Sequence, residues 1–403
     1  WKALFQSRCA IMKGCVTMPP PFVPPKSRKR KTPDTRTPLY DDGKMRIERD
    51  PDVNEESYCG ESMLVQAVEN DSVMAAKILL DHGADIDKVD GSDTTALLHA
   101  CHLGKRAFFV NFLLKNGASP NKVPPYGMTA LMEASVQGGS TTTVKMLLDH
   151  NAEIDKTSKS GATALMCASE TGHANIVQLL LDRGADFGKK QHQGLTAMMY
   201  ACANGHDHIA ELLLDRGADI EDELENERTA LMVASVDGSA DVVKLLLDRG
   251  AMVDKANDQG YTALHLAAIQ NNVDVVQLLL DHGADPDKTN DDDMNALMVA
   301  CIEGKSAAAQ ILLDHGAAID MRDVGGDTAL MVAAQQKNHE VIKLLIERGA
   351  DVDREDDDGR TAVDHAETQE TKNLIVRVAR NRRLFKRWRA YFRARAFTRY
   401  FWL

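Results

Sequence analysis

Apolar positions along the chain fall into two alternating patterns that recur about every 33 residues. The first starts on a hydroxyl or amide side chain and continues through small and apolar residues, as in Thr229-Ala230-Leu231-Met232-Val233-Ala234. Its starting residues are Ser62, Thr95, Thr129, Thr163, Thr196, Thr229, Thr262, Asn295, Thr328 and Thr361, spaced by 33 or 34. A side-chain oxygen just ahead of an apolar periodic stretch predicts a helix N-cap, because it can accept an otherwise unpaired backbone N–H. The second pattern is amphipathic, as in Ile176-Val177-Gln178-Leu179-Leu180-Leu181-Asp182-Arg183, and predicts a second helix with one apolar face. It closes on Gly83, Gly117, Gly184, Gly217, Gly250, Gly283, Gly316 and Gly349, with Asn151 in the remaining unit. Asn is the next-best residue after Gly for a left-handed cap, so the exception fits the same backbone requirement. The residues up to the next Thr, about nine of them, are polar and rich in Gly, Asp, Asn and Lys, which predicts an extended turn or hairpin. Neither helix is long enough to be stable alone, so the units must stack to bury their Leu and Ala faces.

Five residues after each cap stands an unvarying Ala: Ala67, Ala100, Ala134, Ala168, Ala201, Ala234, Ala267, Ala300, Ala333 and Ala366. The next position is small in most units and carries Cys101, Cys202 and Cys301. Such columns predict a helix face onto which the following unit packs closely. The period, together with T-A-L-[MH]-x-A and G-H-x-x-[IV]-V-x-L-L-L-D-x-G-A-D, resembles ankyrin repeats over roughly residues 60–370. The resemblance implies an all-α repeat solenoid of about ten stacked ankyrin repeats, each a helix-turn-helix plus a β-hairpin loop. Two departures stand out. The family's Pro after Thr is Ala throughout, which suits a helix. The family's His is kept only at His265 and is mostly Met elsewhere, at Met132, Met166, Met199, Met232, Met298 and Met331, so apolar packing is expected to replace the His–Thr hydrogen bonds.

Three regions are expected: a Pro-rich, basic leader over 1–60, the repeat array over 61–370, and a basic, aromatic-rich helix or tail over 371–403. Charge separates them. The chain of 403 residues carries a net −12, but residues 371–403 hold eleven Lys/Arg and no Asp/Glu, and residues 1–60 hold twelve Lys/Arg against eight Asp/Glu. Residues 61–370 are left at −27. Aromatics are only 5%, so the core must be aliphatic and Met-rich. There is no run of about 18 uncharged apolar residues, so no transmembrane helix is expected. The seven cysteines are widely spaced without a CxxC pair, which suggests neither a zinc site nor a disulfide framework and suits a reducing, cytoplasmic or nuclear compartment. Because the first residue is Trp1, a fragment lacking an N-terminal domain is one expectation.

The resemblance also implies where partners sit: on the hairpin tips and the concave face of the first helices. Those positions lie one, three and four residues before each cap, and seven and eight after it. They vary far more between units than the scaffold does. The candidates are Tyr126, Met128, Lys159, His192, Leu195, Tyr200, Glu225, Arg228, Asp258, Tyr261, Asp291, Asp292, Met294, Asp357, Asp358 and Arg360. Tips from the sixth repeat onward are mostly acidic and favour a basic partner; solvated loops kept acidic for solubility are the alternative.

At the N-terminus, Pro19–Pro25 suits extended polyproline II that could dock to an SH3- or WW-like domain, and Lys26–Lys31 resembles a nuclear-import signal. A disordered leader is the other reading. In the C-terminal segment, Phe385, Trp388, Tyr391 and Phe392 interleave with Arg383, Lys386, Arg387, Arg389 and Arg393. That pattern is compatible with calmodulin or a membrane surface, with docking onto the acidic array, or with a misplaced gene end; nucleic acid is the least favoured partner. No phosphate loop, HExxH or GxSxG is present, and His206-Asp207-His208 reads as an ordinary helix start rather than a metal site. No cofactor is expected. The sequence therefore reads as a non-enzymatic scaffold or adaptor for a basic protein partner. The alternative is the targeting arm of a signalling enzyme or ubiquitin-ligase adaptor whose other domain lies outside the sequence.

Overall fold

A computed structural model describes residues 40–41, 44–45, 53–54 and 60–382, apart from 92, 105–106, 125–126 and 138–139. The proline run, the basic N-terminal run and residues 383–403 lie outside the described residues. Two short strands, β1 (Tyr40–Asp41) and β2 (Lys44–Met45), pair antiparallel ahead of the repeats, with Tyr40 opposite Met45. The helices then form two compact units, split between Asp219 and Ile220.

The first unit holds α1 (Met63–Glu69), α2 (Val73–Asp81), α3 (Ala96–His102), α4 (Ala107–Lys115) and α5 (Ala130–Val136). It continues with α6 (Thr141–Asp149), α7 (Ala164–Thr171), α8 (Ala174–Asp182), α9 (Ala197–Ala203) and α10 (Asp207–Asp215). The second unit holds α11 (Ala230–Asp237), α12 (Ala240–Asp248), α13 (Ala263–Gln270), α14 (Val273–Asp281) and α15 (Ala296–Ile302). After these come α16 (Ser306–Asp314), α17 (Ala329–Gln335), α18 (His339–Arg348), the short α19 (Ala362–His365) and a last helical stretch over 369–382. The fold is an all-α repeat solenoid.

The expected caps form. Thr163 Oγ1 accepts the Met166 N–H at 3.3 Å and Asn295 Oδ1 the Met298 N–H at 3.0 Å. Each such cap is worth about 1 kcal/mol. Within each unit, successive first helices lie side by side, α7 against α5 and α9, and α13 against α11 and α15. The Ala column is buried throughout, which allows that approach. Leu180, Leu213, Leu246 and Leu279 of the second helices are fully buried beneath it.

The second helices end as the Gly column requires. Ala185 N–H bonds Leu180 C=O at 3.0 Å and Gly184 N–H bonds Leu181 C=O at 3.0 Å, with Gly184 at φ 86°. A Cβ on Gly184 would meet nothing within 4 Å, so the backbone angle alone selects glycine. Asn151 takes the same place at φ 63°.

A further interaction joins neighbouring repeats. A carboxylate four residues after the cap Gly accepts a backbone N–H from the next repeat: Asp87 from Ser119 at 2.9 Å, Asp254 from Asp285 at 3.1 Å and Asp287 from Ala318 at 2.7 Å. Many of the hairpin acids are therefore structural. Cys101, Cys167, Cys202 and Cys301 are buried, and burial pushes the Cys202 thiol up to about 12, which makes it inert as a nucleophile.

The Met column is less apolar than expected. Met132, Met166 and Met331 place Sδ 3.5, 3.4 and 3.3 Å from the backbone N of their own cap Thr. The thioether is a weak acceptor, so part of the polar bond survives the loss of His. His265 makes the full set: Nδ1 lies 2.9 Å from Thr262 Oγ1 and 3.2 Å from Thr262 N, and Nε2 lies 3.0 Å from Met294 O. The carbonyl at Nε2 requires the proton there, which leaves Nδ1 to accept. Burial lowers the His265 pKa to about 4, so the ring is neutral near pH 7.

Candidate functional site

Most hairpins close by one backbone bond four residues long, as in Gln191 N–H to Leu195 C=O and Asn257 N–H to Tyr261 C=O, both at 3.0 Å. Asn290 N–H to Met294 C=O repeats the pattern at 3.0 Å. The residue before the cap is thus the closing residue of these hairpins, and at Leu195, Arg228, Tyr261 and Met294 its side chain turns inward. This corrects the expected exposure of that position. Leu195, Arg228, Tyr261 and Met294 are all buried, Arg228 at 0% exposure and Tyr261 at 1%. Tyr261 packs edge-on against His265, with ring centroids 5.7 Å apart. Tyr200, on the fourth residue of its helix, is also buried, and burial with the nearby Glu170 pushes its hydroxyl pKa up. None of these five side chains is presented at the surface of the chain. Tyr126 lies outside the described residues, and Met128 is half-buried.

The residue at the apex, four before the cap, faces solvent. In the second unit this column reads Glu225, Asp258, Asp291, Val324 and Asp357, all exposed. Asp292, one residue after Asp291, is half-buried. Arg360, one residue before its cap, is exposed like Asp358. In the first unit the same column carries Gly91, Lys159 and His192. The apices are tied to one another through the backbone. Asp258 N–H bonds Asn226 C=O at 3.4 Å, Asp291 N–H bonds Gln259 C=O at 3.2 Å, Val324 N–H bonds Asp292 C=O at 3.2 Å and Asp357 N–H bonds Gly325 C=O at 3.4 Å. These bonds hold one apex per repeat in fixed order along an edge. Val324, 54% exposed, is an apolar contact between acidic neighbours that the sequence reading did not single out. The repeat register finds it, since it lies 33 residues after Asp291.

Some acids of this edge already have partners. Lys255 Nζ lies 2.7 Å from Glu223 and 3.2 Å from Glu221, and its pKa is raised, chiefly by the Glu223 bond. Arg322 lies 2.6 Å from Asp357.

One group of described residues brings metal-competent atoms within 4.8 Å of one another: Asp327, Asp356 and His365. His365 Nε2 lies 2.8 Å from Asp356 Oδ2 and 3.2 Å from Asp327 Oδ1. Arg360 Nε lies 2.8 Å from that same Asp356 oxygen. Burial pushes the Asp356 carboxyl upward, but bonds from the Arg360 backbone, His365 and the Arg360 guanidinium outweigh it and hold the pKa well below the usual range. A guanidinium on the shared oxygen disfavours a second cation, so the group serves to lock the last hairpin. His206, considered in the metal motif, instead directs Nε2 at the Glu170 carbonyl, 3.0 Å away.

The family model for ankyrin repeats matches residues 44–124, 64–158, 105–191, 131–223, 180–259, 198–290 and 282–356. Together these matches run without a gap over more than half of the chain, and the chain belongs to the ankyrin-repeat family. Among solved structures it is similar to the human ASB11 ankyrin repeat domain, with 26% identity and a TM-score of 0.50 over 54% of this chain and 98% of that one. No curated protein matches significantly. Ankyrin repeats are generally protein-interaction modules and typically non-catalytic. No helix among the described residues is long and apolar enough to cross a membrane.

Proposed function

We propose that the chain is a protein-interaction scaffold or adaptor that holds a basic protein segment along the hairpin apices of its second unit. The observation that carries this reading is the row Glu225, Asp258, Asp291 and Asp357, exposed in register on a backbone-pinned edge. A rigid row of like charges spaced by one repeat matches an extended basic segment better than a compact surface. Charge recognition of this kind sets association rate and specificity, and it weakens with salt. Val324 supplies an apolar contact within the row. The buried Tyr261, Met294, Leu195 and Arg228 support the edge from within and do not touch the partner.

The test is calorimetric titration with octaarginine in 50 and 300 mM salt, concentrations of roughly these sizes bracketing the range over which screening sharpens. The variant Glu225→Gln, Asp258→Asn and Asp291→Asn should bind more weakly than wild type at low salt. Asp241→Asn, Asp274→Asn and Glu347→Gln, the same charge removed from the second helices, should bind like wild type. Equal weakening by both sets would reduce the effect to net charge and reject the edge.

A further inference from the structure

We infer that the second unit's acidic edge has a ligand within the same chain, the basic C-terminal segment 383–403, which lies along the apices from Asp357 back toward Glu225. This rests on the reading of that edge as a site for basic segments, and three observations name the occupant. The first is where the described chain leaves the fold. The helical stretch 369–382 ends with the Arg382 guanidinium over Gly349, so close that a Cβ there would meet it at 2.7 Å. Gly349 closes α18 and begins the last hairpin, so the Arg382 side chain reaches the hairpin end of α18 rather than its far end.

The second is charge. Residues 383–403 hold seven Lys/Arg and no Asp/Glu, while residues 220–370 hold 33 Asp/Glu against 12 Lys/Arg. The third is length. Twenty-one extended residues reach about 70 Å. Packed helices lie roughly 8–10 Å apart, so five apices span about 40 Å. The segment is long enough to pass them all. Its eight aromatic residues offer apolar partners for Val324, the exposed aliphatic residue of the row. A covalently attached segment also meets its site at an effective concentration on the order of millimolar, so a modest charge-based affinity suffices to fill it. An external basic partner would then have to displace the tail, which makes the tail a competitive brake on binding.

Trp388 and Trp402 report on the segment directly once Trp1→Phe removes the third tryptophan. In the full chain, iodide quenching of these two should be weak at low salt and should rise on adding salt or on making Glu225→Gln, Asp258→Asn and Asp291→Asn. Quenching that is the same in all three conditions overturns the inference. Protection that grows with protein concentration assigns the segment to a second copy and overturns the intramolecular form. A second arm separates this inference from the reading beneath it. The full chain with Arg387→Glu, Arg389→Glu and Arg393→Glu should bind octaarginine roughly tenfold or more tightly than wild type. If the two bind alike and both need the apex acids, the edge is a site and the tail does not occupy it. If neither binds, both readings fall.

Discussion

The two units share one scaffold and differ at its edge. Each has capped first helices, a buried Ala column and Schellman-type ends on its second helices. Yet residues 61–219 hold 19 Asp/Glu against 13 Lys/Arg, while residues 220–370 hold 33 against 12. At the apices the contrast is local: Gly91, Lys159 and His192 in one unit, Glu225, Asp258, Asp291 and Asp357 in the other. Positions set by the backbone angle or by close packing cannot vary, so divergence collects where a side chain meets only water. A difference there bears on recognition and hardly on folding.

That separation predicts which changes act alike in the two units. The largest effect should come from Leu180→Ala in the first unit and Leu279→Ala in the second, both fully buried. Each should cost about 2–5 kcal/mol by urea denaturation. A loss in one unit only would show that the scaffolds are not equivalent.

His265 should set its repeat apart from the Met repeats. Its folded pKa, about 4, lies below the ordinary value of 6.5, so the unfolded chain binds this proton more readily than the folded one. Its contribution is therefore complete above about pH 6.5, falls as the pH drops toward 4, and levels off below that. The span is roughly 3 kcal/mol. His265→Met should remove that part of the acid sensitivity, as read from urea midpoints at neutral and acidic pH. An unchanged pH profile would show that the ring is not held neutral.

A smaller effect is expected from Gly184→Ala and Gly250→Ala. Both positions have φ near 90° and open space around the missing Cβ, so each should cost about 1–2 kcal/mol through backbone strain alone. Asn151→Gly should be neutral or slightly stabilising in the same melts. Larger losses at the glycines would point to contacts that the open space excludes.

What was legible in the sequence follows from the same separation. The caps, the Ala column and the Gly/Asn column could be read because each answers to one local requirement repeated nine or ten times. The inward turn of Leu195, Arg228, Tyr261 and Met294 could not, because it depends on the four-residue closure of the hairpin. Polar composition alone does not orient a hairpin side chain. The carboxylates of Asp87, Asp254 and Asp287 look like solvated loop acids until the fold brings an N–H from about 30 residues away to each of them. The Met sulfurs keep part of a bond that their apolar character had seemed to rule out. Of the candidate site, the acidic apices were legible and the exposed Val324 was passed over.

The smallest expected effect on folding belongs to the apices, and there the account is most exposed to test. Glu225→Gln, Asp258→Asn and Asp291→Asn should leave the melting temperature near that of wild type, since exposed charges contribute little to stability. The direct measurement is octaarginine affinity at low salt in the chain carrying Arg387→Glu, Arg389→Glu and Arg393→Glu, with and without these three apex changes. Binding should be lost with the apex changes and kept with Asp241→Asn, Asp274→Asn and Glu347→Gln. Binding that survives the apex changes would contradict the reading of this edge as a site for basic segments.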